Sequence, residues 1–199
     1  MVIAAATKNN NKIREIAAIT GAFGIDIISR AEAGVPDDVE IEEDGETFEE
    51  NSEKKAREIM LICGMPAIAD DSGLMVDALD GAPGVMSARF AGTHGDDAAN
   101  NRRLTELLAG VPYEKRTAKF VSVITLVFTD GRSISARGEC KGHMILEPRG
   151  DSGFGYDPLF VPEGYDETFA ELGDEIKNKI SHRSAALRKL KDLLKAEGF

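Results

Sequence analysis

Cysteine is scarce: Cys63 and Cys140 are the only two, and they stand far apart with no ligand-like spacing. That argues against a disulfide framework or a zinc site, and a reducing cytoplasm is the expected setting. No apolar run approaches the length of a membrane span, so no membrane partner is expected. The opening residues, Met1 to Ala6, have no basic segment ahead of their short apolar run, and Lys8 to Lys12 follows at once. They read as a first strand rather than a signal peptide. Positive charge is also in deficit, with 24 Lys and Arg against 35 Asp and Glu and a formal net charge of −11. Such a surface repels a nucleic-acid backbone, which argues against polymeric DNA or RNA. A small polyanion is different, because a few local cations and a metal ion reverse the field within one site.

Repeats, low-complexity runs and Pro/Ser-rich linkers are missing as well, so residues 1–199 read as one folding unit. What is present is an ordinary globular composition, 42% hydrophobic and 30% charged. Val2 to Ala6 predicts a buried strand, and Asn10 to Thr20 a helix with Ile13, Ile16 and Ala17 on one face. Ile25 to Ser29 predicts a second strand. Thr47-Phe48-Glu49-Glu50 fits a capping box, opening a helix that runs to about Cys63 and stops at Gly64 and Pro66. Ala67 to Ala69 predicts a short buried strand. Ala118 to Thr129, apolar on both parities, predicts a central strand, and Asp130-Gly131 a hairpin turn returning through Arg132 to Glu139. A last helix starts near Ser181 with Leu187, Leu190 and Leu194 as its apolar stripe. The expected fold is α/β, a mixed elongated sheet flanked by helices.

Four segments carry chemistry. In Ala69-Asp70-Asp71-Ser72-Gly73, two carboxylates where a strand is expected to open into a loop suit a hard, oxygen-preferring cation and the activation of water. The alternative is a simple turn, since Asp, Ser and Gly all form turns. Thr7-Lys8-Asn9-Asn10-Asn11-Lys12 connects the first strand to the first helix and makes a plausible phosphate cradle, or only an Asn-rich cap. It is not a P-loop, because the glycines and the Gly-Lys-Ser/Thr ending are absent. Gly153-Phe154-Gly155-Tyr156-Asp157-Pro158 places two aromatics in a loop expected to be exposed, where a planar ring could stack and Asp157 could accept from ring N–H groups; core packing of Phe154 or Tyr156 is the alternative. Lys177 to Arg183 gathers cations and His182 around the start of the last helix, a local cost against the helix dipole unless an anion sits there; a solvated basic patch is the alternative.

Taken together, these segments resemble the inosine triphosphate pyrophosphatase family. Thr7 to Lys12, Glu42 to Asn51, Ala69 to Gly73, Gly81 to Arg89, Phe154 to Asp157, and Lys177 with Ser181-His182-Arg183 stand in the family's order and approximate spacing over nearly the whole chain. The resemblance implies two lobes with the site in a cleft between them, a homodimer, and Mg²⁺ as cofactor. It implies hydrolysis of ITP, dITP and XTP to the monophosphate plus pyrophosphate, removing deaminated purines from the nucleotide pool. Asp71 matches the catalytic carboxylate, a metal ligand that also accepts a proton from the attacking water. A second acidic ligand falls in Glu42-Glu43-Asp44, with Glu42 the choice and Glu43 the alternative. Thr7, Lys8, Asn9, Asn10, Asn11, Lys12 and Lys55 match triphosphate-binding positions, and Ser72 a further substrate contact. Phe154, Gly155, Tyr156, Asp157, Lys177, His182 and Arg183 match nucleoside-binding positions, and selectivity against ATP is expected from His182 and Arg183. A nucleotide sensor without turnover would keep the cradle but lose the acid. An acidic interaction protein would leave Lys12, Lys55, Lys177 and Arg183 unexplained.

Overall fold

A computed structural model describes residues 1–198 of the chain. Among these residues six strands form one sheet in the order β2-β1-β3-β4-β5-β6: β1 (Val2–Ala5), β2 (Asp26–Ile28), β3 (Ala67–Val76), β4 (Thr117–Val127), β5 (Ser133–Met144) and β6 (Phe160–Pro162). β1 pairs in parallel with β2 and β3, while β6 runs antiparallel to β5, so the sheet is mixed. Among the described residues five α-helices accompany it: α1 (Asn10–Thr20), α2 (Phe48–Cys63), α3 (Asp97–Leu108), α4 (Phe169–Ile180) and α5 (His182–Ala196). Among the described residues no helix is long and apolar enough to cross a membrane.

Local signals account for many of these elements. The Thr47 hydroxyl accepts from the Glu50 amide while Glu50 reaches back, completing the capping box of α2, and Gly64 ends that helix in the left-handed conformation. The Asp130-Gly131 turn closes with Phe128 N–H donating to the Arg132 carbonyl at 2.9 Å. In α5, Leu187, Leu190 and Leu194 are buried. Other expectations change. α1 buries Glu15, Ile16 and Thr20, while Ile13 and Ala17 are only half-buried. β3 does not end at Ala69 but runs to Val76, so Asp70 to Gly73 lie within a strand. β1 pairs with this strand only at Ala67 and Ile68, so beyond them its hydrogen-bonded neighbour in the sheet is β4, and that pairing overrides the turn propensity of Asp-Ser-Gly.

The chain divides into two compact units. The first comprises Met1–Asp71, Ser122–Gly138 and Arg183–Phe199, and its interior is built on Ile3, Ile16, Ile68, Ile124, Leu187 and Leu190, with a second cluster around Ala56, Ile59 and Val127. The second comprises Ser72–Val121 and Glu139–His182, with a core of Leu74, Leu104, Phe120, Met144, Phe160 and Phe169. β3, β4 and β5 each contribute one end to either unit.

Candidate active site

Asp70 and Asp71 are consecutive in β3, so their side chains leave the strand in opposite directions and meet different partners. Asp71 Oδ1 accepts from Lys55 Nζ at 2.7 Å; that ammonium also lies 3.2 Å from Glu43 Oε1 and donates to the Asp70 carbonyl at 3.2 Å. The second oxygen, Asp71 Oδ2, is buried and has no hydrogen-bond partner among the described residues. Burial raises the Asp71 carboxyl above its ordinary pKa, against the pull of Lys55 and Lys12. Burial works against the charged form of Lys55 too, but Asp71 and Glu43 outweigh it and hold the ammonium above its usual value.

Asp70 is clamped. Arg183 brings Nε and Nη2 to its Oδ2 at 2.6 and 2.5 Å, and Ser122 donates to Oδ1 at 3.0 Å. A further guanidinium nitrogen of Arg183 donates to Glu15 on α1. Lys12 Nζ donates to the Asp70 carbonyl at 3.3 Å and stands 3.8 Å from its carboxylate, and burial lowers the Lys12 pKa although Asp70 opposes the shift. Arg183, expected to face a base, is thus 1% exposed and held by two carboxylates. A guanidinium buried in the first turn of α5 needs such partners, and they are the anions that relieve the dipole cost there.

Residues 7–12 form the turn into α1. Asn9 caps that helix, its side chain accepting from the Asn11 and Lys12 amides at 2.9 and 3.3 Å, and Thr7 Oγ1 accepts from Asn9 N–H at 3.1 Å. Two amides a phosphate could use are therefore taken by Asn9, and Lys12 is the charged group the turn points toward β3. Lys8 is exposed and tied to Glu40 at 2.5 Å and to the Asp37 carbonyl at 2.9 Å; Asn10 is exposed, and Asn11 accepts from Arg14. In the acidic loop, Glu43 meets Lys55, while Glu42 is exposed and acts on Lys54 at longer range.

The second unit organises the aromatic loop. Asp157 and Tyr156 are buried rather than exposed: Asp157 Oδ2 accepts from Lys177 Nζ at 2.7 Å and from Phe154 N–H at 2.8 Å, and Tyr156 donates to the Ser87 carbonyl at 2.9 Å from within the core. Burial moves the Tyr156 phenol upward. Gly153 must be glycine, since it has φ +81° and a Cβ would lie 2.3 Å from Asp157 Oδ2. Lys177 Nζ stands 4.5 Å over the Phe154 ring. Lys177 closes α4 instead of opening α5, which puts its charge at the favourable end of a helix. His182 is buried and stacks on Phe120, centroids 4.8 Å apart. Gly155 is half-buried, its amide donating to Asp97 at 2.8 Å, and Ser72 follows the acids in β3.

The donor set suits a hard divalent cation. Asp71 Oδ2 is a buried carboxylate oxygen with no hydrogen-bond partner among the described residues, and one ammonium bridges Asp71 and Glu43. Among the described residues no three His, Cys, Asp or Glu gather into a metal cage. Two carboxylates completed by phosphate and water are the usual arrangement for Mg²⁺.

The chain matches the model of the Ham1 family over residues 3–193. It belongs to the Ham1 family. The dITP/XTP pyrophosphatase of Geobacter sulfurreducens is 50% identical over 194 residues, 98% of this chain and 96% of that one. The protein of the same name from Desulforamulus reducens is 49% identical over the same shares. The Ham1 protein of Staphylococcus aureus, a solved structure, superposes with TM-score 0.86 at 36% identity, covering 99% of this chain and 100% of that chain.

In this Ham1 family member, sequence reading overlooks Glu15, Ser122 and Phe120, each reaching a candidate residue from a distant element. Glu15 left a faint signal, an acid beside Ile16 on the helix face turned to the core. Ser122 sits in an otherwise apolar strand, where a buried hydroxyl needs a partner. Phe120 left none, being one more core aromatic.

Proposed function

We propose that the protein is a Mg²⁺-dependent nucleoside-triphosphate pyrophosphatase acting on ITP, dITP and XTP; the names of its relatives support the dITP and XTP part, and ITP and Mg²⁺ rest on the sequence resemblance. The observation that carries this reading is the Asp71 carboxylate, with one oxygen on Lys55 and the other buried and without a hydrogen-bond partner among the described residues. Asp71 and Glu43 would hold the cation, which when bound neutralises phosphate charge. A water oxygen forms a bond to the α-phosphorus, the α–β bridging P–O bond breaks, pyrophosphate leaves, and Asp71 accepts the water proton. Its raised pKa makes it a better proton acceptor than a solvated carboxylate. Lys12 and Lys55 engage the triphosphate, while Phe154, Asp157, Lys177 and His182 serve the nucleoside. A cytoplasmic location and a homodimer belong to the same reading and rest on cysteine use and the resemblance.

The test is a nucleotide panel with Mg²⁺ in which pyrophosphate, orthophosphate and monophosphate are all quantified. Stoichiometric IMP and pyrophosphate from ITP supports the reading. Orthophosphate with the diphosphate would reject it in favour of a terminal phosphatase.

A further inference from the structure

Asn51 lies in the first turns of α2 and is 1% exposed, a place where an apolar side chain would pack without desolvating an amide. It directs both ends of that amide at one residue: Gly45 N–H donates to Asn51 Oδ1 at 2.9 Å, and Asn51 Nδ2 donates to the Gly45 carbonyl at 3.3 Å. Gly45 is glycine for space, since a Cβ would lie 2.7 Å from Asn51 Oδ1 and 2.9 Å from Glu50 Cβ. Glu50 takes the next two amides, Glu46 and Thr47, at 2.8 and 3.2 Å, so the loop is tied to α2 at three successive residues. Asn51 and Lys55 are four apart and share a helix face. Glu43 is two residues from Gly45, so anchoring Gly45 confines the Glu43 Cα to within roughly 7 Å of it. From there its carboxylate reaches Lys55 at 3.2 Å.

We propose that Asn51 is a positioning residue whose amide clamps Gly45, so that Glu43 meets Lys55 beside Asp71 and, on the reading that Asp71 and Glu43 hold the cation, the clamp sets divalent-cation affinity. Two directed bonds fix both the place and the rotation of the Gly45 peptide. An apolar contact would leave the loop free to slide along α2.

The experiment uses the full-length protein with Asn51→Ala and Gly45→Ala. Each variant is expected to raise the Mg²⁺ concentration giving half-maximal rate by about 10–100-fold, with kcat at saturating Mg²⁺ kept within about threefold, as for loss of a group that orients a metal ligand. Titration with Mn²⁺ alone, followed by electron paramagnetic resonance, should show the same weakening without turnover. Hydrogen exchange at the Gly45 amide should accelerate in Asn51→Ala, and Asn51→Ala should add nothing further in a Glu43→Gln background. If Asn51→Ala does not fold, Gly45→Ala carries the test. Unchanged Mg²⁺ requirement and Mn²⁺ affinity, or a full Asn51→Ala effect in the Glu43→Gln background, overturns the proposal. A wild type that binds Mn²⁺ through this clamp but releases no pyrophosphate rejects the proposed function and leaves the clamp standing.

Discussion

Arg183 brings two nitrogens to a single oxygen of Asp70, at 2.6 and 2.5 Å, with both side chains buried. Arg183→Ala would remove the guanidinium from the buried acids Asp70 and Glu15, leaving Lys12 at 3.8 Å from Asp70, a loss of about 3–5 kcal/mol. For a chain of this size that is a fall in Tm of roughly 6–20 °C. Turnover of ITP, XTP, ATP and GTP should decline by one common factor, and Arg183→Lys should restore little, because an ammonium lacks the fork that serves two carboxylates. An altered ITP/ATP preference at unchanged Tm would return Arg183 to the base.

Asp71→Asn should lower kcat by about 10²–10⁴ while nucleotide binding persists, because an amide is a poor proton acceptor. Binding should be followed separately by calorimetry with a non-hydrolysable ITP analogue. Retention of more than about a tenth of wild-type kcat would take the proton-accepting role away from Asp71.

Lys12→Ala and Lys55→Ala should weaken a non-hydrolysable ITP analogue far more than IMP, with Lys55→Ala the more damaging. Removing Lys55 also leaves Asp71 and Glu43 without the ammonium between them, so two carboxylates then face the phosphates. Equal losses for analogue and monophosphate would sink the assignment.

The acid limb of kcat/KM should lie above the ordinary aspartate range of about 3.9, since burial raises Asp71 and activity is lost as pH falls through that higher value. A bound divalent cation favours the ionised carboxylate, so the limb should move to lower pH as Mg²⁺ is increased. Rate profiles at limiting and saturating Mg²⁺ decide it, and a limb indifferent to Mg²⁺ would separate Asp71 from the cation.

Burial pushes the Cys140 thiol up to about 11. Its alkylation by iodoacetamide should be slow at pH 8 and climb about tenfold per pH unit, because the thiolate is the nucleophile. Peptide mass spectrometry reads this directly, and rapid complete labelling at neutral pH would contradict it.

The sequence by itself determined the elements whose signals are local: the capping box at Thr47 and Glu50, the stop at Gly64, the Asp130-Gly131 turn and the leucine stripe of α5. It also carried the family, because six short segments keep their order and spacing. The tertiary structure decided what non-local pairing controls. Asp70 to Gly73 read as turn formers, yet pairing within the sheet, beyond the reach of β1, draws them into β3 beside β4. Glu42 and Glu43 are the same chemistry one residue apart, and only the anchoring of Gly45 on Asn51 turns Glu43 to Lys55. Arg183 looked like a donor for a base until Asp70 and Glu15, far away in the chain, were brought to it. A buried charge is assigned by whatever counter-charge the fold delivers, and that partner cannot be read from neighbours in sequence.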